Sequence, residues 1–251
     1  MTDKAEKKQA LMAHLMAMRN MLIISVAAVL VAFVAIFCLV IDPIMHFIEQ
    51  PLVARGISII FTQLSEGMMA KLKVSLIAAL VAACPIIIWQ VWRFISPALY
   101  AHEKRAFWAV VLISVGLFIT GVVFCYGAVY MLTVEFFLSM GEGFGMMTPT
   151  LSSYIDNLFG FVVPFGLAFE LPVALYITTR MGLTNHRMLA RKRKYVILAA
   201  AIVAAVLTPP DVVSQTMLLV PILLLFEVSV LVARFVKPKA AEEADFDAGN
   251  E

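Results

Sequence analysis

The chain has 251 residues, 63% of them apolar and 14% charged, with a mean hydropathy of +0.96. That composition excludes a water-soluble domain and marks a polytopic membrane protein. Lys and Arg number 19 against 17 Asp and Glu, a net charge of +2; so small an imbalance argues against a nucleic-acid partner and leaves the placement of the charges as the informative quantity.

A spanning helix needs about 20 apolar residues at ~1.5 Å rise each, and six segments approach that measure. The first covers 21–41 and stops at Asp42-Pro43. It is too long for a secretory signal, and no small-residue cleavage pattern follows it, so the chain is expected to stay whole in the membrane. The second covers 74–91 with a kink expected at Pro85, and the third covers 107–132 without a charge. The fourth, 158–179, holds Glu170 near its middle. The last two, 195–207 and 217–233, are separated by Thr208-Pro209-Pro210-Asp211 and read as short for an average bilayer. Cys38, Cys84 and Cys125 lie singly inside apolar runs, suggesting neither a zinc site nor a disulfide framework.

Orientation follows from the basic residues, which favour the cytoplasmic side. Lys4, Lys7, Lys8 and Arg19 precede the first span, and Arg93, Lys104 and Arg105 follow the second. Arg180, Arg187, Arg191, Lys192, Arg193 and Lys194 follow the fourth, and Arg234, Lys237 and Lys239 follow the sixth. The opposite side holds only Arg55, Lys71 and Lys73. Both termini are therefore expected in the cytoplasm. The outer loops then fall at about 42–73 and 133–157, the second an irregular cap, and the acidic tail beyond Pro238 is expected to be disordered. The predicted organisation is an amphipathic cytoplasmic segment over 1–20, a six-helix membrane domain over 21–235 and a tail over 236–251.

The chain carries no phosphate-binding P-loop, no His-Glu-x-x-His zinc helix and no Gly-x-Ser-x-Gly elbow. Work against a gradient must then draw on the membrane potential, a proton gradient or a partner. Glu170 and Glu227 lie within apolar runs, where a charge costs at least about 2.5 kcal/mol, so each is expected to face protein or a wet cavity. Pro164 and Pro172 flank Glu170 and free backbone carbonyls near it. A second group runs from Trp89 to Arg105. An interfacial aromatic belt with topogenic charges accounts for most of it. Glu103 is the exception: a carboxylate that either pairs locally with Lys104 or Arg105 or receives an incoming guanidinium bidentately. His14 to Arg19 reads as an interfacial amphipathic helix. Thr208, Asp211, Ser214 and Gln215 read as a helix stop and N-cap, or as polar groups that bind another membrane helix.

Four motifs in order carry a resemblance: Trp92-x-Phe94-x-x-Pro97-Ala98-Leu99-x-x-x-Glu103-Lys104-Arg105; Phe165-Gly166-x-x-Phe169-Glu170-x-Pro172; Arg193-Lys194-Tyr195; and Leu207-Thr208-Pro209-Pro210-Asp211-x-x-Ser214-Gln215 with Pro221 and Phe226-Glu227. From about His14 to Arg234 the chain resembles TatC, the multi-spanning subunit of the twin-arginine protein translocase. The resemblance implies an all-α integral membrane protein whose six transmembrane helices form a concave, glove-shaped bundle in the cytoplasmic (inner) membrane. It implies binding of twin-arginine signal peptides on folded cargo and transport driven by the proton-motive force. Single-span partners of the TatA and TatB type, within a multimeric receptor complex, are implied too. By the same resemblance Glu103, Phe94, Arg19 and Arg105 would bind the signal peptide, and Glu170 would be the intramembrane acid on the concave side. Thr208 and Gln215 would dock partner helices. No catalytic residue, cofactor or metal is expected. The family's His-Leu-x-Glu-Leu-Arg-x-Arg pattern reads here His14-Leu15-Met16-Ala17-Met18-Arg19-Asn20-Met21, without the acid and the second basic residue. A competing reading is a proton-coupled transporter of a small solute with Glu170 as carrier, although the paired half-repeats of such proteins are not evident.

Overall fold

The computed structural model describes residues 2–95, 104–141, 149–208 and 211–236. Among them regular structure is helical, apart from one isolated bridge between Ile60 and Thr150. Helix α1, Thr2–Leu39, runs without a break through the N-terminal segment and the first apolar run. After a turn at Val40, α2, Ile41–Val53, places Asp42 and Pro43 in its first turn, where proline lacks only a donor that has no helical acceptor. Its Ile41, Met45, Ile48 and Leu52 recur at helical spacing and are buried. The first part of the loop expected over 42–73 is thus a helix. It ends in a Schellman motif: Ile57 N–H donates to the Leu52 carbonyl and Gly56 N–H to that of Val53. Gly56 takes the left-handed conformation this requires, with φ of 71°.

Helix α3, Glu66–Ile95, passes through Pro85 and extends the predicted span at both ends. Helix α4, Lys104–Phe124, a π-helical turn, Cys125–Tyr130, and α5, Met131–Gly141, follow one another directly. The third span therefore continues nine residues beyond its predicted end at 132, into the segment expected to form an irregular cap. Helices α6, Leu151–Phe169, and α7, Leu171–Arg180, are separated only by Glu170. The short α8, His186–Arg191, precedes α9, Arg193–Leu207, and α10, Val212–Phe235. Of the last two, α9 is short: its 15 residues reach about 22 Å against a hydrocarbon core of about 30 Å. The other is longer than its apolar run. The Asp211 carboxylate accepts the Ser214 N–H at 2.6 Å, starting α10 five residues before Met217, and its 24 residues suffice to cross a bilayer.

The chain divides into two compact units. Unit one comprises the described residues of Met1–Pro51 and Met68–Val115. Its buried side chains on α3 include Val74, Ala79, Ala83, Cys84, Ile88 and Trp92, a small-residue stripe punctuated by larger ones. Unit two comprises those of Leu52–Gly67 and Gly116–Glu251. There α10 packs along α7 and α9 and touches α6 and α8. Two glycine–phenylalanine pairs bring α4 and α6 together. A methyl group on Gly121 would come within 2.8 Å of the Phe169 ring, and one on Gly166 within 2.6 Å of the Phe118 ring. A methyl on Gly160 would run into the Leu207 carbonyl oxygen of α9.

Candidate functional site

In unit one, Phe94 stands among the aromatic and basic residues of the last turns of α3. Trp92 is buried, and its indole N–H donates to the Ser114 hydroxyl of α4 at 2.9 Å. Ser114 is itself fully buried, so each polar group satisfies the other away from water. One residue further along α3, exposed Arg93 lies over the Trp89 ring at 5.9 Å. The half-buried Phe94 ring meets that of His14, centroids 4.5 Å apart and tilted by 35°. The contact sets the N-terminal arm of α1 against the end of α3. Arg19, a little over one turn further along α1, is exposed, as is Arg105 in the first turn of α4. Glu103 and the motif from Pro97 to His102 lie outside the described residues. Chemically, this end of α3 offers aromatic faces beside the exposed Arg93, a setting in which planar guanidinium groups stack well.

In unit two, Glu170 occupies the joint between α6 and α7. Its N–H donates to the Leu167 carbonyl at 3.1 Å, and its own carbonyl accepts the Ala174 N–H at 2.9 Å. Pro164 sits inside α6 and Pro172 in the first turn of α7. The Glu170 carboxylate has one oxygen, Oε1, fully buried. The adjoining Phe169 ring lies 5.8 Å from that of Phe124, which lies 6.1 Å from Phe165. An acid is therefore placed beside an aromatic cluster within the apolar segment Leu151–Arg180.

The proposed docking pair lies at the α9–α10 turn. The Thr208 hydroxyl is buried and donates to the Ala204 carbonyl at 2.8 Å, while Gln215 Nε2 donates to the Ala201 carbonyl at 3.2 Å. Both side chains thus spend a donor on α9. Glu227 forms an ion pair with Arg193 at 2.7 Å, both about half exposed. Pro209 and Pro210 lie outside the described residues.

Several polar groups carried no recognisable signal in the sequence. His14 and Phe94 are 80 positions apart, and nothing local couples them. Glu66 accepts from the Thr62 N–H and hydroxyl, the Gln63 N–H and the Ser152 N–H. A Thr four residues before an acid that opens an apolar run is the only sequence sign of it. Asp42 accepts a hydrogen bond from Lys71 Nζ at 2.6 Å. That bond, and then the ammonium charge, hold its carboxyl below the ordinary value of 3.8. Among the described residues no group of three or more His, Cys, Asp or Glu is arranged to hold a metal ion.

Comparison with known proteins agrees along nearly the whole chain. The family described as Sec-independent protein translocase protein (TatC) matches residues 13–221. A protein of that name from Carboxydothermus hydrogenoformans is 37% identical over 235 residues, covering 93% of this chain and 96% of the relative. One from Haemophilus influenzae is 38% identical over 245 residues, covering 96% and 95%. The crystal structure of the twin arginine translocase receptor TatC superposes with a TM-score of 0.82 at 34% identity, covering 88% of this chain and 97% of that one. The chain is a multi-pass membrane protein, and by family model, identity and fold alike it belongs to the TatC family of Sec-independent protein translocase subunits.

Proposed function

We propose that this chain is the receptor for twin-arginine signal peptides in the cytoplasmic membrane, with both termini in the cytoplasm. TatA- and TatB-type single-span proteins are its partners, and the proton-motive force drives transport. The observation that carries the reading is the meeting of His14 and Phe94. It joins the arm bearing Arg19 to the end of α3, whose continuation in sequence bears Glu103. Glu103 immediately precedes α4 in sequence, and Phe94 stands in the last turn of α3.

In this mechanism a guanidinium of the signal's arginine pair meets Glu103 through two parallel N–H···O bonds, a geometry that an ammonium lacks. Phe94 presents the ring face against which the planar cation stacks. Arg19 and Arg105 bind the signal peptide by donating to its backbone carbonyls. The apolar part of the signal then enters the membrane near the Phe124, Phe165 and Phe169 rings and Glu170. Thr208 and Gln215 bind partner helices through the hydrogen-bonding capacity they keep beyond α9.

The test is photocrosslinking from positions 94 and 103 in membranes, with a twin-arginine precursor and its twin-lysine counterpart. Crosslinks to the arginine form alone are expected, and E103Q should abolish those from position 94. Equal crosslinking of both precursors would overturn the reading.

A further inference from the structure

The segment joining α7 to α9 is rich in cations but nearly devoid of acids. Arg193 is balanced by Glu227. Arg187, Arg191 and Lys192 are exposed, and none of the three is in an ion pair among the described residues. Arg187 and Arg191 stand four residues apart on α8, where like charges repel. The helix cannot rotate to relieve them. Leu189, on its opposite side, is buried with Phe226, Val230 and Ala233 of α10. Two exposed arginines thus stand one turn apart on the side of α8 away from Leu189, where an anion between them would relieve the repulsion.

The surroundings identify the kind of anion. Leu183, four residues before Arg187, and Phe235, at the end of the helix against which α8 packs, are 64% and 77% exposed, so bare apolar side chains accompany the cations. From Tyr195 a stripe continues down α9 through Leu198, Ile202 and Val206, spaced three or four residues apart and each more than half exposed. A ligand suited to both features has one anionic end and a long apolar body. Helix α9 adds a reason of depth: at about 22 Å it is shorter than the hydrocarbon core, which draws its basic end towards the headgroup phosphates.

We propose that Arg187, Arg191 and Lys192 form a docking surface for an anionic phospholipid. Its headgroup phosphodiester lies between the two guanidinium groups, and its acyl chain runs along the Tyr195–Leu198–Ile202–Val206 stripe. Guanidinium suits this role through bidentate pairing with phosphate oxygens. Lys192 adds a point charge at the break between α8 and α9.

The experiment uses the full chain in phosphatidylcholine vesicles containing a trace of spin-labelled phosphatidylglycerol or spin-labelled phosphatidylcholine, with the motionally restricted fraction read by electron paramagnetic resonance. The intact chain should prefer the anionic lipid by about fivefold, and R187Q/R191Q should bring the preference below about twofold. K4Q/K7Q/K8Q, which removes as many or more cations from the N-terminal arm, should leave it unchanged. Loss of selectivity in the arm variant alone, or its persistence in R187Q/R191Q, would overturn the proposal. Photocrosslinking from position 198 should label lipid; protein–protein adducts instead would assign the stripe to a second copy of the chain and overturn it equally. None of these readouts involves a signal peptide, so they stand apart from the receptor reading.

Discussion

The Glu66 carboxylate at the start of α3 accepts the Ser152 N–H of α6 at 2.8 Å. Ser152 lies in the first turn of α6, where backbone N–H groups lack helical partners and the helix end carries partial positive charge. Glu66 thus caps a helix that begins 85 residues later. Its other oxygen gathers the Thr62 and Gln63 donors, and next to it Ile60 and Leu151 exchange backbone bonds with the opposite segment.

Replacing Glu66 with Gln removes the charge and turns one acceptor into a donor facing N–H groups. E66Q is expected to lower the melting temperature in detergent. Amide exchange at Ser152 and Ser153 should accelerate by about tenfold while α10 stays protected. Uniform exchange changes along the whole chain would contradict a local cap.

Trp92 and Ser114 form a closed buried pair. W92F strips the donor and leaves the Ser114 hydroxyl in an apolar setting, at a cost of about 1–3 kcal/mol. W92F/S114A removes both polar groups and should recover part of that loss. A double-mutant cycle by thermal or denaturant unfolding measures the coupling, and strictly additive effects would show that the bond contributes little.

The glycine contacts on α6 differ in how they respond to a methyl group. At Gly166 the neighbour is the Phe118 ring, so G166A should cost about 1–3 kcal/mol and F118L should relieve it. At Gly160 the neighbour is the Leu207 backbone oxygen, which no side-chain change can withdraw. G160A is therefore expected to destabilise without rescue by any substitution at Leu207, as judged by yield and melting temperature.

The Asp42–Lys71 pair supplies a pH dependence. Because the folded carboxyl titrates below its ordinary value of 3.8, its contribution is complete above that value and disappears as pH falls through the lower, folded one. Both side chains are substantially exposed, so the effect is small and screened by salt. The melting temperature of D42N should fall slightly below that of the unaltered chain near neutral pH in low salt. The two should converge in strong acid and in high salt; a difference that survives strong acid would point to another cause.

Much of the architecture was legible in composition and periodicity. Water excludes long apolar runs and lipid demands satisfied backbone, so 251 residues with six such runs specify spanning helices, whatever their packing. Their ends were less legible. The apolar run of α10 begins at Met217, but the Asp211 cap starts the helix at Val212. The third span continues through a π-helical turn into α5, because Thr133 and Glu135 are compatible with helix once the Thr133 hydroxyl donates to the Val129 carbonyl at 2.7 Å.

For the candidate site, the chain alone identified the chemistry-bearing types: an acid within an apolar run at Glu170, a carboxylate among cations at Glu103, and a polar turn at Thr208. It could not pair His14 with Phe94, Trp92 with Ser114, or Glu66 with Ser152. Such partners lie tens of residues apart, and each side chain viewed locally has many equivalent uses. Hydrophobicity is additive along a chain and can be read residue by residue. Hydrogen bonds and ring contacts need direction and distance, which exist only once the helices have packed.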